Sequence, residues 1–248
     1  LSARINNVDY REYVEDIELA ALGTVADLVP LIGENRKLVR LGLKRMPETS
    51  IVGLRELINV AGLEGKQITA GHCGYNIAPR LNAVGRLGSA AIGVELLTTS
   101  DPIKARQIAL QLDRENTRRK KLEEDMLRSA DETFQRKRAA RGGGFSSIVI
   151  AKDGWHAGVI GLTASKLVEK YNLPTIVIAI MGNLAVGSCR SIPALHIKDA
   201  LDHFGDRFQR YGGHAAAAGF SMNADYVERF AADFDEYVRE QLGDRDFI

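Results

Sequence analysis

The sequence predicts an α/β protein: a helical first part and a compact α/β second part, joined by one long helix. Three observations carry this. From Pro102 to Arg141 a helical pattern runs uninterrupted until the glycines at 142–144, giving nearly 40 residues and a length of about 58 Å. Before it, apolar residues recur at helical spacing. After it, short apolar runs alternate with amphipathic segments. The long helix is apolar near one end (Ile103, Ile108, Leu112) and near the other (Leu122, Met126, Ala130, Phe134), while ENTRRKK between them is polar all round. A helix buried at both ends and wet in the middle bridges two bodies. The expected division is therefore 1–100, a connecting helix at 101–141, and 142–248.

The elements follow in order. Tyr13, Ile17 and Ala21 lie four apart, so a helix is expected over 10–21. GTVADLVPLIG is turn-rich and leads to a second helix near Glu34. A third spans TSIVGLRELINVAG, capped by Thr49 or Ser50 and stopped by Gly62. GHCGYNIAPRLNAVGRLGSA is too rich in glycine for an assignment and is read as a loop; SAAIGVELLTT is a short helix. Ser100 or Asp101 caps the long helix, and Pro102 suits its first turn. Beyond the glycines, SSIVIA, LPTIVIAI and LAVGSCRS read as strands, the second continuously apolar as inside a covered sheet. AGVIGLTASKLVEKY, HIKDALDHF and ADYVERFAADFDEYVREQL read as helices, and AGFSM as a further strand.

The 248 residues carry a net charge of +1, so no global field draws the chain to nucleic acid or membrane, and any anion site must be local. Cys73 and Cys189 are far apart and form no CxxC pair, which fits a reducing cytoplasm. No apolar run approaches the roughly 18 residues of a membrane span, and no secretory signal is present. The chain begins at Leu1 with helical periodicity close behind, so a piece of a longer protein is expected.

Several stretches carry chemistry. In GGHAAAAGF, Gly212 and Gly213 can expose successive N–H groups to an anion, with the ring of His214 beside them. The structural alternative is a simple chain turn with a satisfied histidine. GSCRS places Ser188, Arg190 and Ser191 at a strand end, where ligands of α/β domains gather and an arginine fork suits phosphate; the alternative is a solvated arginine. DGWHAGVIGLTASK sets Trp155 and His156 in a strand-to-helix turn, before a helix N-terminus that attracts anions. Trp155 is a base-stacking surface or core. PRLNAVGR offers Arg80, Asn82 and Arg86 to a polyanion, or to solvent. Asp27 is a metal ligand or a cap, and no clustered partners accompany it.

Taken in order, ALGTVADLVPLIGENRKLV, APRLNAVGRLGSA, DGWHAGVIGLTASKL, GSCRSI and GGHAAAAGF resemble the RecJ exonucleases of the DHH phosphoesterase superfamily, from about residue 10 to residue 242. The first two blocks are the more specific; the glycine–histidine block is shared by the wider group with a DHHA1 domain. The resemblance implies the helical C-terminal part of a DHH domain, a long bridging helix and a compact DHHA1 domain. It implies a cytoplasmic 5′→3′ exonuclease on single-stranded DNA using Mn2+ or Mg2+, with a helicase or a single-strand-binding protein as partners of the parent. Asp27 matches a metal-ligand motif. Ser188 and Arg190 match a region holding terminal phosphate, and His214, with Gly212 and Gly213, a motif that binds phosphate beside the metals. Arg80, Asn82 and Arg86 match a loop facing the substrate cleft.

The family's Asp-His-His triplet, its earlier aspartates and its OB-fold find no match here. One inherited ligand cannot hold two ions, so the chain alone is expected to be inactive and to bind no metal stably. Two alternatives remain open at this level: a phosphodiesterase for short or cyclic nucleotides, and a noncatalytic nucleic-acid-binding module.

Overall fold

The computed structural model describes residues 16–87, 90–142 and 144–243 and divides into two units, Leu1–Arg119 and Lys120–Ile248. The first is helical: α1 (Ile17–Ala26), α2 (Gly33–Arg45), a 3-10 turn (Met46–Glu48), α3 (Val52–Val60), a helical turn (Ala70–His72), a π turn (Cys73–Ile77), α4 (Ala78–Leu87) and α5 (Ala91–Thr98). Its core gathers Leu22, Leu54, Leu57, Ile77 and Leu96. The helix expected over 10–21 lies partly outside the described residues. The described α1 continues through Gly23 and Thr24, which the sequence reads as a turn. Close packing overrides their weak propensity: a Cβ on Gly42 of α2 would stand 2.4 Å from the Ala21 Cβ.

Two further expectations are corrected. α3 is not capped by Thr49 or Ser50; Ile51 occupies the cap, and buried Thr49 donates its hydroxyl to Glu18 at 2.7 Å. The glycine-rich block at 70–87 is helical, not a loop. Cys73, Ile77, Ala78 and Val84 are buried on one side of it, so tertiary burial holds what glycine propensity disfavours.

The helix α6 (Pro102–Arg141) runs 40 residues, and the division between units falls within it. Asp101 caps it, its carboxylate accepting from the N–H groups of Ile103 (2.8 Å) and Lys104 (3.3 Å). Gly142, at φ +75°, ends it. No helix among the described residues is long and apolar enough to cross a membrane.

The second unit holds β1 (Ile148–Asp153), α7 (Ile160–Tyr171), β2 (Thr175–Met181), β3 (Leu184–Arg190), α8 (Ile197–His203), β4 (Arg210–Gly213), β5 (Ala217–Asn223) and α9 (Val227–Leu242). The sheet order is β1-β2-β3-β5-β4, with β1 and β2 parallel and every other pair antiparallel. Helices cover both faces of β2. Ile176 and Ile178 join a core with Phe230 and Phe234 of α9, while Val177 and Ala179, opposed by the period of two, are also buried. The helix α7 packs on β2 and β3. β4 corrects the reading of GGH as a chain turn: Gly212 and Gly213 form an edge strand paired with Gly219 and Ala218.

Candidate phosphate-binding site at the sheet end

Arg190 is the last residue of β3 and is paired in register with Thr175 of β2 and Ala217 of β5. His214 donates its backbone N–H to the Ala217 carbonyl at 2.8 Å, extending the β4–β5 ladder by one residue. Ala217 therefore stands between Arg190 and His214 at one end of the sheet. Two strand spacings put their backbones about 10 Å apart. Residues directly opposed in an antiparallel pair share a face, so both belong to the face covered by α7.

Three uncharged acceptors are among the partners of the Arg190 guanidinium. Nε donates to Ser165 Oγ at 3.1 Å; Nη1 donates to Ser188 Oγ at 3.1 Å and to the Cys189 carbonyl at 2.8 Å. It lies against the first turn of α7: a Cβ on Gly161 would be 2.9 Å from both Arg190 Nη2 and Ser188 Oγ. The N-cap of α7, Val159, supplies no side-chain cap. A half-buried arginine, the Ser188 hydroxyl and a helix N-terminus without a side-chain cap thus converge, a donor set suited to a phosphate monoester, while Ser165 donates its hydroxyl to the Gly161 carbonyl at 3.1 Å. Ser165 and Gly161 are missed by motif reading. Their signal is a pair of small residues four apart on one helix face, beside an arginine 25 residues downstream of Ser165.

His156 accepts the Gly158 N–H on Nδ1 at 3.1 Å, and His214 accepts that of Ala216 on Nδ1 at 3.4 Å. In each neutral ring the proton then sits on Nε2, which becomes the donor available to a ligand. The two rings are half-buried and exposed, respectively. Gly213, at φ +149°, is required sterically, because a Cβ there would come within 2.4 Å of the Ala217 carbonyl oxygen. Gly212 faces open space. The backbone N–H of His214 is spent on the ladder and that of Ala216 on the His214 ring.

The other candidates separate. Trp155 is 7% exposed, which leaves almost no ring for a base to stack on. Ser191 donates its hydroxyl to the Leu195 carbonyl at 2.8 Å and holds a turn. Arg80 is on α4, not in a loop; it pairs with Asp113 at 2.9 Å and donates to the Asn76 carbonyl at 2.6 Å. Asn82 and Arg86, four apart, share the exposed side of that helix. Asp27 is exposed at the C-terminus of α1, just before Leu28, whose φ of +55° is strained for a branched residue.

Residues 144–240 match the DHHA1 domain family. The sheet and helices around Arg190 are thus those of a DHHA1-domain protein. Beyond that domain, the chain is 38% identical over 236 residues to the single-stranded-DNA-specific exonuclease RecJ of Bacillus subtilis (94% of this chain, 30% of the relative). It is 36% identical over 245 residues to that of Escherichia coli (95% of this chain, 42% of the relative). The crystal structure of RecJ in complex with Mn2+ from Thermus thermophilus superposes with a TM-score of 0.82 at 36% identity, covering 92% of this chain and 33% of that one. A crystal structure of exonuclease RecJ bound to manganese gives 0.79 at 35% identity, over 94% of this chain and 58% of that one. The chain carries a DHHA1 domain and is homologous over nearly its whole length to RecJ-type proteins of the DHH/DHHA1 superfamily. It spans 30% to 42% of the length of these curated relatives.

Those solved relatives hold Mn2+, and one further RecJ structure from Thermus thermophilus holds Mg2+. Among the described residues of this chain, no group of three or more His, Cys, Asp or Glu can hold a metal. Asp27 alone supplies one carboxylate where two-metal chemistry needs several ligands. The described residues do not fit a dinuclear centre, and no chemical step is assigned to one.

Proposed function

We propose that this chain is part of a 5′→3′ single-stranded-DNA exonuclease and supplies the surface that grips the strand's terminal phosphate. In this reading residues 1–100 are the C-terminal portion of a DHH domain, 101–141 connect it, and 142–248 are the DHHA1 domain. Hydrolysis with Mn2+ or Mg2+ belongs to the longer cytoplasmic protein, which binds single-stranded DNA by its 5′-phosphate end. A helicase or a single-strand-binding protein as partner of that longer protein is part of the same proposal.

The observation that carries the reading is the arrangement at Arg190. A guanidinium held by Ser165, Ser188 and the Cys189 carbonyl is pre-aimed, so little rotamer entropy is lost when a phosphate arrives. His214, donating from Nε2, adds a second contact across Ala217 and stabilises charge that builds on the phosphate oxygens. Asn82 and Arg86, on the exposed side of α4, are nucleic-acid contacts of the first unit in the same reading. Such contacts favour a phosphate monoester end over an internal diester because only the end carries the extra charge.

The test is fluorescence anisotropy with one oligonucleotide bearing a 5′-phosphate and the same one bearing a 5′-hydroxyl. A charge-assisted contact of about 1.5–3 kcal/mol gives a preference of about 10- to 100-fold for the phosphate. Arg190→Ala should abolish that preference. Equal affinity for both probes in the unmutated chain would defeat the assignment.

A further inference from the structure

The first unit carries an open groove of about 760 Å³. One wall is α2, where Arg36, Arg40 and Lys44 recur every four residues and so share one face. All three are exposed, and their side chains have no ion-pair or hydrogen-bond partner among the described residues. The neighbouring cations of the helix are spent: Lys37 on Glu34 at 3.1 Å and Arg45 on Glu18 at 3.2 Å. Among the described residues no carboxylate lines the groove, and its apolar floor includes Val39, Leu43 and Ile68. In a chain of net charge +1, three uncompensated cations on one groove wall are a local field, not a reflection of the whole.

Four helical residues rise about 6 Å, close to the reach of one nucleotide in an extended strand. Three successive phosphates can therefore each meet one cation, while sugars and bases lie toward the dry floor. Among the described residues no aromatic side chain lines the groove, so the contacts it offers are to phosphates and not to stacked bases. An acidic peptide would need carboxylates at matching intervals and a deep anchor pocket; a nucleic-acid strand brings one charge per step by its covalent structure. We infer that this groove is a sequence-independent track for the backbone of a single nucleic-acid strand, formed by Arg36, Arg40 and Lys44. The inference rests on the chain's reading as a single-strand-binding protein, and it adds a site that is independent of the terminal-phosphate contact.

The experiment uses the whole chain, a fluorescent oligothymidylate without a 5′-phosphate, and a salt titration. The variants are Arg36→Gln/Arg40→Gln/Lys44→Gln and the charge-keeping Arg36→Lys/Arg40→Lys, with thermal melts to show that both remain folded. Each phosphate contact on a single strand contributes about 0.7 to the slope of log K against log salt, so the neutral triple variant loses about 2 units of slope. Between about 50 and 200 mM salt, the unmutated chain then loses affinity about 20-fold more steeply than the variant. The charge-keeping variant retains the slope. An unchanged slope in the neutral triple variant overturns the inference. So does a labelled oligoglutamate that binds more tightly than the oligonucleotide and is released by the same variant, which marks a protein partner. If Arg190→Ala removes the 5′-phosphate preference while the groove variants change nothing, the groove fails and the proposed function stands. If the unmutated chain binds no strand, both fail together.

Discussion

Gly161→Ala separates a ligand site from a structural staple at Arg190. The new methyl would sit 2.9 Å from Arg190 Nη2 and 2.9 Å from Ser188 Oγ, both ends of flexible side chains. Reaching ordinary contact moves each tip by about 0.5 Å. The 3.1 Å bonds from Arg190 to Ser188 and Ser165 then lengthen beyond useful range. Each such bond to a charged donor is worth about 1.5–3 kcal/mol where it orients the group for a ligand. The expected loss in 5′-phosphate preference is therefore about tenfold or more, measured by the paired-probe anisotropy assay. Alanine is the better helix former by up to about 1 kcal/mol. That gain offsets what the displaced arginine loses, so the melting temperature should hold within a few degrees. The reasoning is refuted if the preference survives intact. It is equally refuted if the melting temperature falls steeply with the preference unchanged, since Arg190 would then be a packing element alone.

Asp235→Ala tests the tie between α9, the end of α6 and the entry to β1. Its carboxylate accepts from the Ser146 and Ser147 N–H groups, both at 2.9 Å, and from Arg141 at 2.8 Å. Removing it leaves two buried N–H groups and the buried Ser147 hydroxyl without their acceptor, at a cost of about 3–5 kcal/mol in urea denaturation; a loss under about 1 kcal/mol contradicts the geometry. Both thiols should be inert in the folded chain. Burial pushes Cys73 up to about 11 and Cys189 further up, so neither should react with a disulfide reagent at about pH 8, and both should react in guanidinium. A rapidly labelled native thiol would refute that.

What the sequence makes legible follows from how local its cause is. The long helix is readable because Asp101, Pro102 and Gly142 mark its ends and nothing between them disagrees. β2 is readable as a continuous apolar run because both of its faces are covered. β4 is not, since Arg-Tyr-Gly-Gly has no alternation and becomes a strand through pairing with β5. The block at 70–87 hides a helix because its stability comes from buried Cys73, Ile77 and Val84, which propensity does not see. At the site, Ser188, Arg190 and His214 stand out as polar groups among small residues. Ser165 and Gly161 reach them only through the packing of α7 on β3. The same limit misplaces Arg80: its partner Asp113 lies 33 residues away on α6, and nothing near Arg80 announces it.

The contrast between Arg80 and Arg190 gives the small residues of the sheet end their physical sense. Arg80 meets a carboxylate, so its charge is compensated and its role is to fasten α4 to α6. Two hydroxyls and a carbonyl are among the partners that hold the Arg190 fork in place. Orientation by short hydroxyl and carbonyl contacts needs those partners at contact distance. Gly161 lets the helix come that close, and Gly213 lets β4 close on β5. Ala217 stands between Arg190 and His214 in the register with a side chain of one methyl. Replacing any of these with a larger residue would leave the charged groups in the chain and remove the space in which they can act together.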